Sequence, residues 1–278
     1  MGRGRLLPTD PCHFEDSDGR CHAPEGRGVC APPPSGRPSA LIQHADLEAL
    51  CRQQPPYGFK PLCAGGSEAG PDSLPLLRRL RDPARCHYPS CAVVGASGTL
   101  LGARLGASID AHDAVIRVNA APVGGFEAAV GARTTWRVSN SEKPFMLADL
   151  EVPELQVAIC HMGWIGSCQH QAFSGKYDGN HQGGTGTLAY INPVFYNELW
   201  SLLGRPRDKQ APSTGLLAIA LALGVCGSVS LYGFGHAGAK AGKQPCRHYW
   251  ECVQWEDEAS YYDPLHQFHD WLAEERLR

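Results

Sequence analysis

The 278 residues carry a formal charge of −3, with 43% hydrophobic and 19% charged side chains, which suffices for one substantial core and a small appendage. No basic stripe or Lys/Arg run stands out, so no nucleic-acid partner is expected. The longest apolar run, residues 216–225, is too short to cross a bilayer.

No charged start followed by an apolar core marks a signal peptide near Met1. The chain nevertheless has 12 cysteines and no CxxC pair. The closest late pairs, Cys160/Cys168 and Cys246/Cys252, do not form a four-ligand zinc pattern. Disulfides formed in an oxidising lumen explain that number better than metal binding. Any anchor is therefore expected outside this stretch.

Residues 1–90 hold 14 of the 22 prolines and half of the cysteines. Residues 1–85 are expected to form a stem or N-terminal extension rich in Pro, Gly and Cys, and residues 86–278 the main domain. Short helices are expected over 38–52, where Leu41, Ala45, Leu47 and Leu50 fall near one face, and over 74–80. Asp16-Ser17-Asp18 has the form of a metal-binding DxD, but no strand precedes it, and it reads as solvated.

Ala92-Val93-Val94 predicts a buried strand, and Gly95-Ala96-Ser97-Gly98 a tight turn whose amides can approach a ligand closely. A helix is expected from Thr99. A second strand over 114–118 ends on Asn119, where nucleotide-binding sheets take their ligands, beyond a strand's carboxyl end. Strands follow over 134–140 and 155–160.

Residues 161–186 predict a loop that faces a substrate. Its His161, His170 and His181 lack the short-range spacing of metal ligands and read as loop histidines. A helix over 191–203 places Pro193 in its first turn. Ser213 or Thr214 caps the next helix, which is apolar all round, reads as buried and is closed by Gly227. The hydroxyls and Gly215 at its start suit an anion, although capping alone accounts for Ser213 and Thr214. A last strand covers 228–232. After it come His248, His266 and His269, candidates for a general base.

The glycine turn by itself resembles that of a NAD(P)-dependent oxidoreductase or epimerase. The strand over 114–118, however, ends in Asn119 and not in the acid that holds an adenosine ribose, and no Tyr-x-x-x-Lys pair follows.

A fuller resemblance covers residue 91 to the C-terminal region. Cys91, Gly95, Gly98, Leu100, Gly106, Ile109, Asp110, Asp113, Val115, Arg117 and Asn119 are spaced as in the large sialyl motif of the eukaryotic sialyltransferase family. The match continues through Pro122, Gly125, Phe126, Gly131, Thr134 and Thr135. Pro212-Ser213-Thr214-Gly215, Cys226 and Tyr232-Gly233-Phe234 resemble the small motif. His248-Tyr249-Trp250-Glu251 is similar to the third motif, and to members that build α2,3 linkages to galactose. His269 followed five residues later by Glu274 fits the very small motif.

The resemblance implies a GT-A-like variant of a Rossmann-type α/β/α sandwich around a mostly parallel sheet. It implies inverting transfer of sialic acid, or a related acidic sugar, from a CMP-sugar to a glycan hydroxyl, with neither metal nor cofactor. His269 would be the base, with His266 the alternative and Glu274 structuring the segment. His248 and Tyr249 would stabilise the leaving phosphate. Gly95, Ala96, Ser97, Gly98, Asn119, Ser213, Thr214 and Gly215 would hold the donor. Cys91 and Cys226 would form the family's disulfide. A type II membrane protein of the Golgi lumen is implied too. Two positions depart from the family pattern: Ala96 replaces the usual Asn, and Ala211 a larger residue. A catalytically weak member that binds CMP or glycans is the alternative within the family.

Overall fold

The computed structural model describes residues 14–15, 21–22, 29–30, 40–42, 47, 49, 86–140, 155–159, 187–204, 211–234, 246 and 248–251. The strands are β1 (Phe14–Glu15), β2 (Cys21–His22), β3 (Val29–Cys30), β4 (Cys86–Val94), β5 (Ala114–Val118), β6 (Trp136–Asn140), β7 (Leu155–Ile159), β8 (Thr187–Tyr190) and β9 (Cys226–Tyr232). The helices are α1 (Gly106–Asp110), α2 (Glu127–Val130), α3 (Pro193–Leu202) and α4 (Thr214–Val225), with a 3-10 turn at Gly98–Leu100.

β4 to β8 lie side by side in chain order, all parallel. β9 returns to the other side of the chain order and pairs parallel with β4. β3 joins the same sheet antiparallel to the start of β4, while β1 and β2 pair with each other.

Alternation along the strands assigns the two faces. Cys91, Val93, Ala114, Ile116, Trp136, Val138, Val157 and Ile159 pack in one core with α3 and α4. Ala92, Val94 and Val115 pack on the opposite face with Leu100, Ile109, Val130 and Tyr249. β5 is buried along its whole length because both faces are covered. The result is the expected α/β/α sandwich. Leu216, Leu217, Ile219 and Leu221 of α4 are buried, each stabilising the fold by about 2 kcal/mol over leaving it exposed. The end of that helix differs from the expectation of burial all round, since Leu223 is 67% exposed.

Several polar residues of the motif hold the scaffold. Asp113 accepts from the amide and hydroxyl of Ser90, at 2.9 and 2.6 Å, and so latches β5 to β4. Asp110 accepts from the amides of Ala132 and Arg133. Arg117 is wholly buried and donates to the carbonyls of Val130, Gly131 and Arg133 and to the Thr134 hydroxyl. The carbonyls of Val130 and Gly131 end α2, so the guanidinium sits at the negative end of that short helix. Burial also pushes the pKa of the Tyr190 phenol up.

Four local expectations are corrected. No continuous helix starts at Thr99: one 3-10 turn ends before Gly102, whose φ of 77° breaks the path, and α1 starts at Gly106. Leu41 is not helical; it bridges Ile191, and the Ile42 amide donates to the Tyr190 carbonyl. Consecutive apolar residues at 41 and 42 thus extend the sheet region, and the helical residues described there are Leu47 and Ala49. Ile191 precedes α3, which is capped by the Asn192 side chain, with Pro193 in its first turn as expected. α4 ends at Val225 and Gly227 lies within β9, where a side chain would meet the Pro89 carbonyl at 3.0 Å. The helix expected over 74–80 and the Asp16-Ser17-Asp18 segment lie outside the described residues.

The Cys91–Cys226 disulfide joins β4 to the start of β9 across 135 residues of chain. Cys226→Ser is expected to lower the unfolding free energy by about 3 kcal/mol, read as a lower denaturant midpoint without reductant. An unchanged midpoint would show that the strand pairing needs no staple.

Candidate active site

The strands being parallel, the ends of β4, β5 and β9 open onto one edge of the sheet, where ligands of such folds bind. The glycine turn after β4 is stitched to the end of β9: the Gly95 amide donates to the Tyr232 carbonyl at 2.7 Å and the Ser97 amide to the Gly233 carbonyl at 3.1 Å. A Cβ on Gly95 would come within 2.4 Å of the Gly233 oxygen, and one on Gly98 within 1.9 Å of the Cys246 oxygen. The room left by these glycines is therefore taken by the protein's own main chain. Ser97 caps the 3-10 turn, its hydroxyl accepting from the Thr99 amide.

The Phe234 ring couples this turn to α4. It lies 3.3 Å from a Cβ position on Gly95 and 3.0 Å from one on Gly215. At the helix start, Ser213 is buried and its hydroxyl accepts from the Leu216 amide at 3.1 Å, so Ser213, and not Thr214, is the cap. The first turn of this 12-residue helix contains no acid, so no carboxylate of the helix itself offsets its positive end.

Asn119 follows β5 in the left-handed region, with φ 48°, a conformation that Asn tolerates better than most residues. β6 holds it there. Its amide donates to the Val138 carbonyl at 2.8 Å, and buried Arg137 donates to its carbonyl at 2.8 Å and to that of Ala121 at 3.1 Å. Asn119 itself is exposed at the sheet edge, while Arg137 beneath its main chain is buried.

The segment 248–251 completes the described part of the edge. His248 bridges Ser97, and the Tyr249 amide donates to the Ala96 carbonyl at 3.1 Å. Tyr249 is buried, its ring packed edge-on to Phe126 and Trp250, and its hydroxyl donates to the Pro122 carbonyl. One tyrosine thus ties the glycine turn to the loop that follows Asn119.

Of the residues singled out from sequence, Gly95, Ala96, Ser97, Gly98, Gly215, His248 and Tyr249 form one connected set through Phe234 and the main chain, with Ser213 and Thr214 at the adjoining helix start. Asn119 joins the set through β6 and its own loop. His266, His269, Glu274, His161, His170 and His181 lie outside the described residues. Phe234, Arg137 and Phe126 are not among the site residues expected from sequence. Phe234 and Phe126 belong to quoted motif stretches, whereas a buried Arg in mid-strand gives no periodic signal. Among the described residues no group of three His, Cys, Asp or Glu side chains could hold a metal ion.

The chain matches the model of glycosyltransferase family 29 (sialyltransferase) over residues 53–157 and 161–277. It is 33% identical over 181 residues to the CMP-N-acetylneuraminate-beta-galactosamide-alpha-2,3-sialyltransferase 2 of Mus musculus, covering 62% of this chain and 49% of that protein. It is 32% identical over 217 residues to the beta-galactoside alpha-2,6-sialyltransferase 2 of Takifugu rubripes, covering 70% and 40%. The chain thus spans about half or less of the length of these relatives. It superposes with a TM-score of 0.50 and 26% identity on a mammalian sialyltransferase crystallised with Gal-beta-1-3GalNAc-ortho-nitrophenol, covering 87% of this chain and 76% of that one.

Gly98→Ala is expected to destabilise the protein by about 2 kcal/mol, because the turn and the Cys246 carbonyl must part. Gly124→Ala, which meets nothing within 4 Å, is expected to stay within about 0.5 kcal/mol. Equal melting temperatures for the two variants would contradict this packing.

Proposed function

Because the chain belongs to glycosyltransferase family 29, the sialyltransferases, we propose that it transfers sialic acid from CMP-sialic acid to a galactoside hydroxyl. The observation that carries this reading is the joining of the glycine turn, the start of α4 and the segment 248–251 on one sheet edge. The nucleotide would lie against the glycine turn and Asn119. Ser213, Thr214 and Gly215, with the positive end of α4, would face the donor's phosphate or carboxylate.

In the reaction, the bond from the anomeric carbon to the CMP oxygen breaks through an oxocarbenium-like transition state. The acceptor oxygen bonds to the opposite face, which inverts the configuration, and its proton passes to a histidine. We assign that histidine as His269, with His266 the alternative and Glu274 shaping the segment. His248, with Tyr249, would offset the charge growing on the departing phosphate. A single bridging phosphate needs less neutralisation than a diphosphate, and we propose that transfer proceeds without metal or cofactor.

By their names, one relative is a beta-galactosamide alpha-2,3-sialyltransferase and another a beta-galactoside alpha-2,6-sialyltransferase, and the 248–251 tetrapeptide favours α2,3. The reading includes the Golgi lumen and a type II anchor; among the described residues no helix is long and apolar enough to cross a membrane. Ala96, in place of the family's Asn, favours a second reading in which CMP is bound but transfer is slow.

His269→Ala is expected to lower the transfer rate by a factor on the order of 10² or more, while calorimetry gives the same affinity for CMP. Full transfer by the variant would sink the assignment of the base. Thermal stabilisation by NAD(P) and not by CMP-sugars would sink the reading as a whole.

A further inference from the structure

His248, Tyr249, Trp250 and Glu251 form one closed turn, in which the Glu251 amide donates to the His248 carbonyl at 3.3 Å. The closure brings the first and last side chains together: His248 Nδ1 lies 3.4 Å from Glu251 Oε2. Trp250 stacks flat on the imidazole, with 4.5 Å between ring centroids and 2° between planes. Tyr249 roots the turn in the core, and the bridge from His248 to Ser97 sets it against the glycine turn.

An ionised carboxylate only accepts hydrogen bonds, so a hydrogen bond across this pairing requires the proton on Nδ1. Nε2 is then the basic nitrogen of the neutral ring and the second donor of the charged one. A free neutral imidazole favours the opposite tautomer, with its proton on Nε2. The ring needs a partner at Nδ1 to be held otherwise, as metal-bound histidines are held by a carboxylate behind them. The stacked indole removes the remaining freedom, rotation of the ring plane.

We propose that Glu251 and Trp250 are positioning residues that hold His248 in one plane as the Nδ1–H tautomer, so that Nε2 is the atom directed at the leaving phosphate. The last clause rests on the function proposed above, whereas the tautomer itself does not. Glu251 is 57% exposed and His248 28%, so the effect is one of orientation more than of deep electrostatics.

The test is the ¹⁵N spectrum of histidine-labelled full chain, at a pH where the ring is neutral, with the His248 signals assigned through His248→Gln. The wild-type ring is expected as Nδ1–H. Glu251→Ala should convert it largely to Nε2–H, while Glu251→Gln, whose amide oxygen still accepts, should keep Nδ1–H. In transfer assays Glu251→Ala should lower kcat by about 10-fold with the donor KM changed by less than about 2-fold, and Glu251→Gln should restore most of it. A wild-type ring in the Nε2–H form, or a tautomer indifferent to Glu251→Ala, would overturn the proposal. The expected tautomers in a chain with no transfer activity would support the positioning and overturn the functional reading instead.

Discussion

β9 comes back across the whole domain to lie beside β4, and most of what stands at the sheet edge depends on that return. Closing so long a loop is entropically costly, and three features oppose the cost: a parallel ladder from Tyr88 to Val94 interrupted at Pro89, the Cys91–Cys226 bond at its start, and Gly227, which allows β9 to approach Pro89. With the strands paired, Gly233 falls against Gly95, and Phe234 fills the gap between the glycine turn and α4. Two motifs more than a hundred residues apart become one surface.

The large motif divides between two tasks. Asp110, Asp113, Arg117 and Thr135 face their own neighbours and set the strand and helix spacing. Arg117 and Arg137, paired in register on adjacent strands, are both buried. Such charges are tolerated only where several carbonyls receive their protons. In return Arg137 fixes the main chain at Asn119, which puts an exposed amide side chain in a backbone conformation that few residues accept. Scaffold chemistry in this way determines where Asn119, the residue proposed to meet the nucleotide, stands.

Much of this was legible in the sequence. The parallel strands at 114–118 and 155–159 are short apolar runs between polar stretches, and the Ser213 cap with its apolar helix is a local signal. β4 is longer than its apolar core suggests because Pro89 is accommodated where the strand pairs with β9 alone; its ladder with β5 begins only at Cys91. β8 went unseen, since its four residues run straight into the apolar start of α3. The glycines at 95 and 98 read as ligand contacts, and in the structure their missing side chains also make room for carbonyls contributed by residues 233 and 246. Sequence shows that close approach is needed, but the approaching partner is a tertiary fact. The pairing of His248 with Glu251 was equally hidden, because it follows from a turn geometry and not from a periodicity.

The glycine turn, Asn119, the start of α4 and the 248–251 turn are proposed to make up one nucleotide site. Amide chemical-shift mapping of the labelled chain during titration with CMP tests it directly. Saturable shifts clustered at Ala96, Ser97, Asn119, Thr214, Gly215 and Tyr249 are expected. Shifts confined to other regions, or none at millimolar CMP, would contradict it.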